Sequence, residues 1–397
     1  MKKILISLFI VLGLFAFIAT GAEAKAASTG AEKYVAGGFE MSGHLMTGTQ
    51  FTKFSKRASA YGTFDGDNVY FAGAGGKYIG KLPYSGAKSF NFFVDDVELD
   101  IMKSFGENIR LRADLNFGRA LSSGIFSPGF FLEQAYATAN IPLGNGVEIL
   151  FGRFNTPIGF EAADATDNDT ISKSVLGTAL RPTNTTGVKI YYAFSDLVDL
   201  HFYVVNTLTQ DSTLKVNNVP SLGMRLGFNW GQEGSESTFG ISPFFGPETR
   251  ASNRHFTYGA DMDLNWWITE AFALGAEGLY RRDNSISGSP YDNVNYMSGL
   301  LNLHYVFSDV WDGTLKYVFA KQFKTSNNGL AAAATIFTPA NLTGEHQSIQ
   351  QIALAGGYSI ADGAKLKLEG RFDIVKPVGK STTQYVYGAA MAFAYNF

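Results

Sequence analysis

Six charged side chains fall within one stretch, NTPIGFEAADATDNDTISKSVLGTALRPTNT: Glu161, Asp164, Asp167 and Asp169, followed by Lys173 and Arg181. The carboxylates of DATDNDT are spaced as a calcium loop spaces its oxygen ligands, yet the glycine and terminal glutamate of an EF-hand are missing. The histidines, His44, His201, His255, His304 and His346, are scattered without metal-type pairs. The chain has no cysteine, which removes disulfides, thiolate metal sites and covalently attached haem. It has no G-x-S-x-G, no P-loop and no G-x-G-x-x-G in a strand-to-helix setting. The expectation is therefore no catalytic residue, no metal and no cofactor. What remains is electrostatic: a mainly acidic segment that could orient ions or dipolar solutes held close to it.

A second set of charges recurs at every other residue. Arg110 and Arg112 alternate with Ile109, Leu111, Ala113 and Leu115; Asp261 and Asp263 alternate with Ala260, Met262 and Leu264; Lys365, Lys367, Glu369 and Arg371 alternate with Leu366, Leu368 and Phe372. Arg225, Arg281, Glu277, Asp96, Glu98 and Asp100 hold the same parity in their own segments. A period of two belongs to strands, with one face apolar and the other polar. These segments run nine residues or more, longer than the usual globular strand and matched to the ~9–11 residues of a tilted membrane strand.

Sixteen such segments are expected, beginning at 34–46, 90–103 and 108–119 and ending at 347–359, 363–374 and 383–397. Short and long connections alternate between them: FGEN, LGNG, SDLVD, GQEGSES, ITEA, SDVWD and IADG are short, while 47–89, 120–129, 157–184, 209–220, 247–253, 283–292, 324–346 and 375–382 are long. That rhythm predicts an all-β fold, a closed antiparallel transmembrane β-barrel with short periplasmic turns and long extracellular loops. The aromatics entering the turns, Phe194, Trp266, Trp267, Phe307 and Tyr358, fit a girdle at the membrane interface. With 34 Phe, 19 Tyr and 44 Gly but only 17% charged residues, the composition is that of a barrel more than of a soluble enzyme. No basic block points to nucleic acid.

Residues 1–24, MKK followed by an apolar run and then ATGAEA, read as a secretory signal peptide. Residues 25–33 form a short N-terminal segment, and 34–397 a single barrel domain. The final strand carries Tyr385, Tyr387, Met391, Phe393, Tyr395 and Phe397 on one face. That face is expected to meet lipid, and Phe393, Tyr395 and Phe397 look like the C-terminal signature that outer-membrane barrels present to their insertion machinery.

If the strands close, the polar parity lines a lumen. Its wall would carry Arg110, Arg112, Arg225, Arg281, Lys365, Lys367 and Arg371 together with Asp96, Glu98, Asp100, Asp261, Asp263 and Glu277. The third long connection, 157–184, is expected to fold inward as a constriction, setting an acidic loop opposite a partly basic wall. This arrangement implies passive diffusion of ions and small hydrophilic solutes across the outer membrane of a Gram-negative bacterium, with weak selectivity of unassigned sign. A substrate-specific channel, the barrel sheath of an electron conduit, and a surface adhesin or structural barrel are the alternatives.

The segment from Phe131 to Asn206 adds a resemblance. LEQAYATANIPLGNGVEILFGRFNTPIGFEAADATDN followed by RPTNTTGVKIYYAFSD resembles the β-barrel porins of the OmpL-like type and, more distantly, the phosphate-selective porins. The resemblance implies an outer-membrane pore, and porins of this size suggest a homotrimer. It does not imply phosphate selectivity, since the lysine-rich lining expected of phosphate porins is absent.

Overall fold

The computed structural model describes residues 34–36, 38–54, 88–117, 131–208, 217–248, 253, 256–284, 294–324, 346–376 and 383–397. Residues 1–33, and with them the expected signal peptide, lie outside that set, as do 55–87 and 325–345 of the long connections. The strands are β1 (Tyr34–Ala36), β2 (Phe39–Phe54), β3 (Lys88–Phe105), β4 (Ile109–Asn116), β5 (Phe131–Ile141) and β6 (Val147–Asn155). There follow β7 (Asn184–Ala193), β8 (Val198–Val205), β9 (Ser221–Trp230), β10 (Ser237–Pro247), β11 (Phe256–Thr269) and β12 (Phe272–Asp283). The last are β13 (Val294–Ser308), β14 (Trp311–Lys324), β15 (His346–Ala361), β16 (Ala364–Lys376) and β17 (Gln384–Asn396).

Each strand from β2 to β17 pairs antiparallel with its neighbours in sequence, and β17 pairs with β2 from Asn396↔His44 to Val386↔Phe54. Sixteen strands thus close a ring, which satisfies the backbone internally and leaves no open sheet edge to lipid. Phe397 continues the seam: its N–H donates to Gly43 O at 2.9 Å and its carbonyl accepts from Gly43 N–H at 3.0 Å.

The first strand departs from expectation. The segment 34–46 is not one strand: Tyr34–Ala36 folds back on Phe39–Met41, and Gly38 turns the chain at φ +76°. The strand that closes the ring therefore starts at Phe39 and runs further, to Phe54. A left-handed backbone is cheap for glycine and costly for other residues, so Gly38 marks the reversal.

Bulges keep the apolar face outward where the sequence changes parity. In β3, Phe90, Phe92 and Val94 are exposed outward, whereas beyond them the outward set is odd-numbered, Val97, Leu99 and Ile101; the register skips Asp95, which absorbs the change. Three short turns share one device. The register skips Ile268 in β11, Phe307 in β13 and Ile360 in β15, each an exposed apolar residue just before its turn. Among the aromatics expected in the girdle, Phe194, Trp266 and Phe307 are exposed, but Trp267 turns inward, edge-on to His304 at 6.0 Å between ring centroids. Neighbours on a strand cannot share a face, so one tryptophan of the pair had to enter the barrel.

Candidate functional site

The long connection between β6 and β7 is closed at its root, where Thr156 N–H donates to Thr183 O and its hydroxyl to Pro182 O, both at 2.7 Å. From that root the chain crosses the barrel. In a ring of sixteen strands the wall opposite β6 and β7 is β14 and β15, and the loop makes polar contacts on the inward faces of β12 through β16.

The motif Pro157-Ile158-Gly159-Phe160-Glu161 begins the docking. Ile158 is buried in an apolar cluster with Leu176 and Leu180 of the same loop and with Leu279 and Leu300 of the wall. Gly159 has φ +89° and the Arg181 side chain lies where its Cβ would be, so neither the backbone nor the space admits another residue. The Phe160 ring lies against Gly275 of β12, and its N–H donates to Glu277 Oε2 at 2.8 Å. Glu161 accepts from Lys316 Nζ of β14 at 2.7 Å and from Ser174 N–H and Oγ at 3.0 and 2.5 Å. Burial pushes the Glu161 carboxyl up, but the Lys316 ammonium, the Ser174 hydrogen bonds and the charge of Arg181 outweigh it and hold it below the ordinary 4.5.

Wall side chains then staple the rest of the loop, largely through its backbone. Lys316 also donates to Thr170 Oγ1 at 2.5 Å and Ser172 O at 2.6 Å. Lys367 of β16 donates to Thr166 O at 2.9 Å and Asn168 O at 2.6 Å. Glu369 accepts from Ser172 N–H at 2.9 Å, and Gln351 of β15 accepts from Val175 N–H at 2.9 Å. Asp169 accepts from Asn302 Nδ2 at 2.7 Å and lies 3.5 Å from His304 Nδ1. Within the loop, Asn168 bonds Ala162 and Asp164 backbones, Lys173 reaches Ala163 O, and Leu176–Leu180 forms one π-helical turn. Arg181 returns to Glu277 at 3.4 Å and to Glu161 O.

The loop expected to face a mixed, partly basic wall is thus in direct contact with Lys367, Arg371 and Glu277. Its backbone carbonyls and N–H groups need donors and acceptors once buried, and the wall's cations and carboxylates supply both. Several wall charges are neutralised along their own strands: Arg281 bonds Asp283 at 2.7 Å and Leu180 O at 3.1 Å, and Arg371 bonds Asp373 at 2.9 Å and Lys173 O at 3.4 Å.

The wall away from the staples is mixed. Arg112 bonds Asp114 at 2.7 Å and approaches Asp100 at 3.7 Å; Arg225 forks onto Asp263; Lys365 meets Asp312 at 2.5 Å. Arg110 is exposed beside the turn after β3. Asp96 is placed by its backbone opposite Met46. Two groups of possible metal ligands occur among the described residues, His44, Glu98 and Asp164, and Glu98, Asp100 and Asp114, each with ligand atoms within 4.8 Å of one another. Asp164 belongs to the loop, so the first group joins its tip to β2 and β3; Asp167 makes no such junction.

Three contributors do not stand out in the sequence. Lys316, Gln351 and Asn302 all sit at inward parity in alternating strands, so parity is a usable signal for them. The inward apolar set is harder to see. Leu150, Phe154, Tyr203, Phe244, Tyr296, Val318 and Ile349 face into the barrel and are buried with the loop's leucines. Strands apolar on both faces lose their alternation, as β6, β8 and β10 do.

The sequence profile of the family described as "Putative beta-barrel porin-2, OmpL-like" matches residues 39–395. No curated protein matches the chain in sequence. Among solved structures, it is similar to the outer membrane channel DcaP of Acinetobacter baumannii, with TM-score 0.59 and 14% identity, covering 92% of this chain and 100% of that one. An anion-selective porin from Comamonas acidovorans gives TM-score 0.56 at 11% identity, covering 92% and 100%. The trimer form of OmpT of Vibrio cholerae gives 0.50 at 10%, covering 90% and 99%. At these identities the likeness is one of fold.

Proposed function

We propose, on the premise that this chain belongs to the OmpL-like β-barrel porin family, that its loop 157–184 constricts a passive diffusion channel for ions and small hydrophilic solutes. The protein is an outer-membrane porin of a Gram-negative bacterium, a channel by family and fold. The observation that carries the finer reading is the docking of the loop across the barrel, from its root on β6 and β7 to Lys316, Lys367, Glu369 and Gln351 opposite. A segment held by buried polar bonds is a fixed obstacle, and a fixed obstacle sets a size limit.

Mixed, paired charge on the remaining wall supports weak ion selectivity, because Arg112, Arg225 and Lys365 each already face a carboxylate. The chain needs no catalytic chemistry for this role. A homotrimer is the assembly we favour, supported by the trimer form of OmpT, and insertion by the barrel-assembly machinery of the outer membrane accounts for the Phe393, Tyr395 and Phe397 row.

The test is swelling of liposomes containing the refolded protein in sugars of graded size. Uptake that falls steeply with solute size, and falls less steeply when the loop is shortened, is the expected result. Uniform impermeability to all of them would overturn the diffusion reading.

A further inference from the structure

The inward face of β11 carries two aspartates with different fates. Asp263 is held by the Arg225 guanidinium, with NH2 donating to Oδ1 at 2.8 Å. Asp261, fully buried, meets the Glu277 carboxyl and has no other protein group donating to either carboxylate oxygen. Its surroundings repeat the deficit. Ser242 stands directly opposite on β10, and its Oγ has no partner. Tyr203 of β8 reaches across Gly223 of β9 toward β10, filling the place of the missing Cβ, and its phenol oxygen has no partner. On β12, Glu277 pairs across from Asp263; its Oε2 is taken by Phe160 N–H and Arg181, while Oε1 has no partner. All four side chains are at least nine-tenths buried.

Buried carboxylates without a donor are costly, and a hydroxyl buried beside them should be bonded. The nearby guanidiniums are committed, Arg225 to Asp263 and Arg181 to Glu277 and the Glu161 carbonyl. What would satisfy these atoms together is small, positive and ligated by oxygen. Two carboxylates and two hydroxyls, with no nitrogen or sulfur, form a hard-cation set suited to a divalent ion with a flexible shell.

We propose that Asp261, Glu277, Ser242 and Tyr203 hold a calcium-class divalent cation on the barrel wall beneath the root of loop 157–184. The ion bridges β8, β10, β11 and β12 and fixes Glu277, the same carboxylate that receives Phe160 and Arg181 from the loop. The loop's root is thereby tied to cation occupancy. Glu233, exposed in the turn between β9 and β10, provides the control.

The full-length protein, refolded in detergent without lipopolysaccharide, is titrated with Ca²⁺ calorimetrically, and its thermal unfolding is followed in Ca²⁺ and in EDTA. The expected result is saturable binding, with unfolding shifted upward by Ca²⁺ and downward by EDTA. Asp261→Asn should abolish both, Tyr203→Phe should weaken binding by about 10-fold, and Glu233→Gln should change neither. Should Asp261→Asn fail to refold, Tyr203→Phe and Ser242→Ala decide between the outcomes. Absence of Ca²⁺ binding by the wild type would overturn the site and leave a shared proton between the two carboxyls. Binding that survives Asp261→Asn, or is lost in Glu233→Gln, would overturn it equally.

Discussion

Glu161 and Lys316 form the contact on which the loop's position most depends. Both are buried and each also orders other groups, Ser174 on one side and Thr170 and Ser172 on the other. Removing one partner strands the other in a site closed to water, at a cost of about 3–5 kcal/mol. Lys316→Met should therefore release the loop while the barrel stays folded, read as faster uptake of mid-sized sugars with unchanged heat-modifiable mobility. The pH dependence has a definite sign. The docked Glu161 carboxyl titrates below its ordinary 4.5, so it stabilises docking above that range and the contribution is lost as pH falls through it. Conductance of the wild type should rise on acidification below the ordinary carboxylate range, and Glu161→Gln should flatten that response. The charged loop residues are visible in the sequence as a cluster, but their partners are not. Lys316 lies 155 positions away, and a single sequence carries no sign of which inward lysine a loop will find.

At the scale of the element, the loop is shaped by small residues as much as by charges. Gly159→Val must place a side chain where Arg181 lies and force a branched residue to positive φ, at about 1–2 kcal/mol for the backbone alone. The expected outcome is protease cleavage within 157–184 in a barrel that otherwise resists digestion. Leu176 and Leu180 oppose such release, since each fully buried leucine contributes about 1.5–3 kcal/mol. Strand positions are legible because only a strand between two unlike environments sustains a period of two for so long: β16, Ala364–Lys376, lies where the alternation over 363–374 places it. The opening strand differs because alternation alone does not show a reversal at Gly38. Inward apolar residues such as Leu150 and Tyr203 escape because polar-inside, apolar-outside is a rule for water-filled lumens, and these pack against a loop.

For the whole molecule, the closing seam of β17 on β2 brings the Phe397 ring against Gly43. Phe397→Ala should lower the amount of barrel assembled in cells, while refolding in detergent proceeds, separating recognition by the insertion machinery from the stability of the barrel itself. The central claim, a channel narrowed by its own third long loop, is tested most directly by single-channel conductance in planar bilayers. The comparison is between the wild type and a variant in which residues 160–180 are replaced by a short Gly-Ser linker. We predict discrete, stepwise openings for the wild type and markedly larger steps for the variant. A folded wild type that never conducts, or a variant whose steps match the wild type in size, would contradict it.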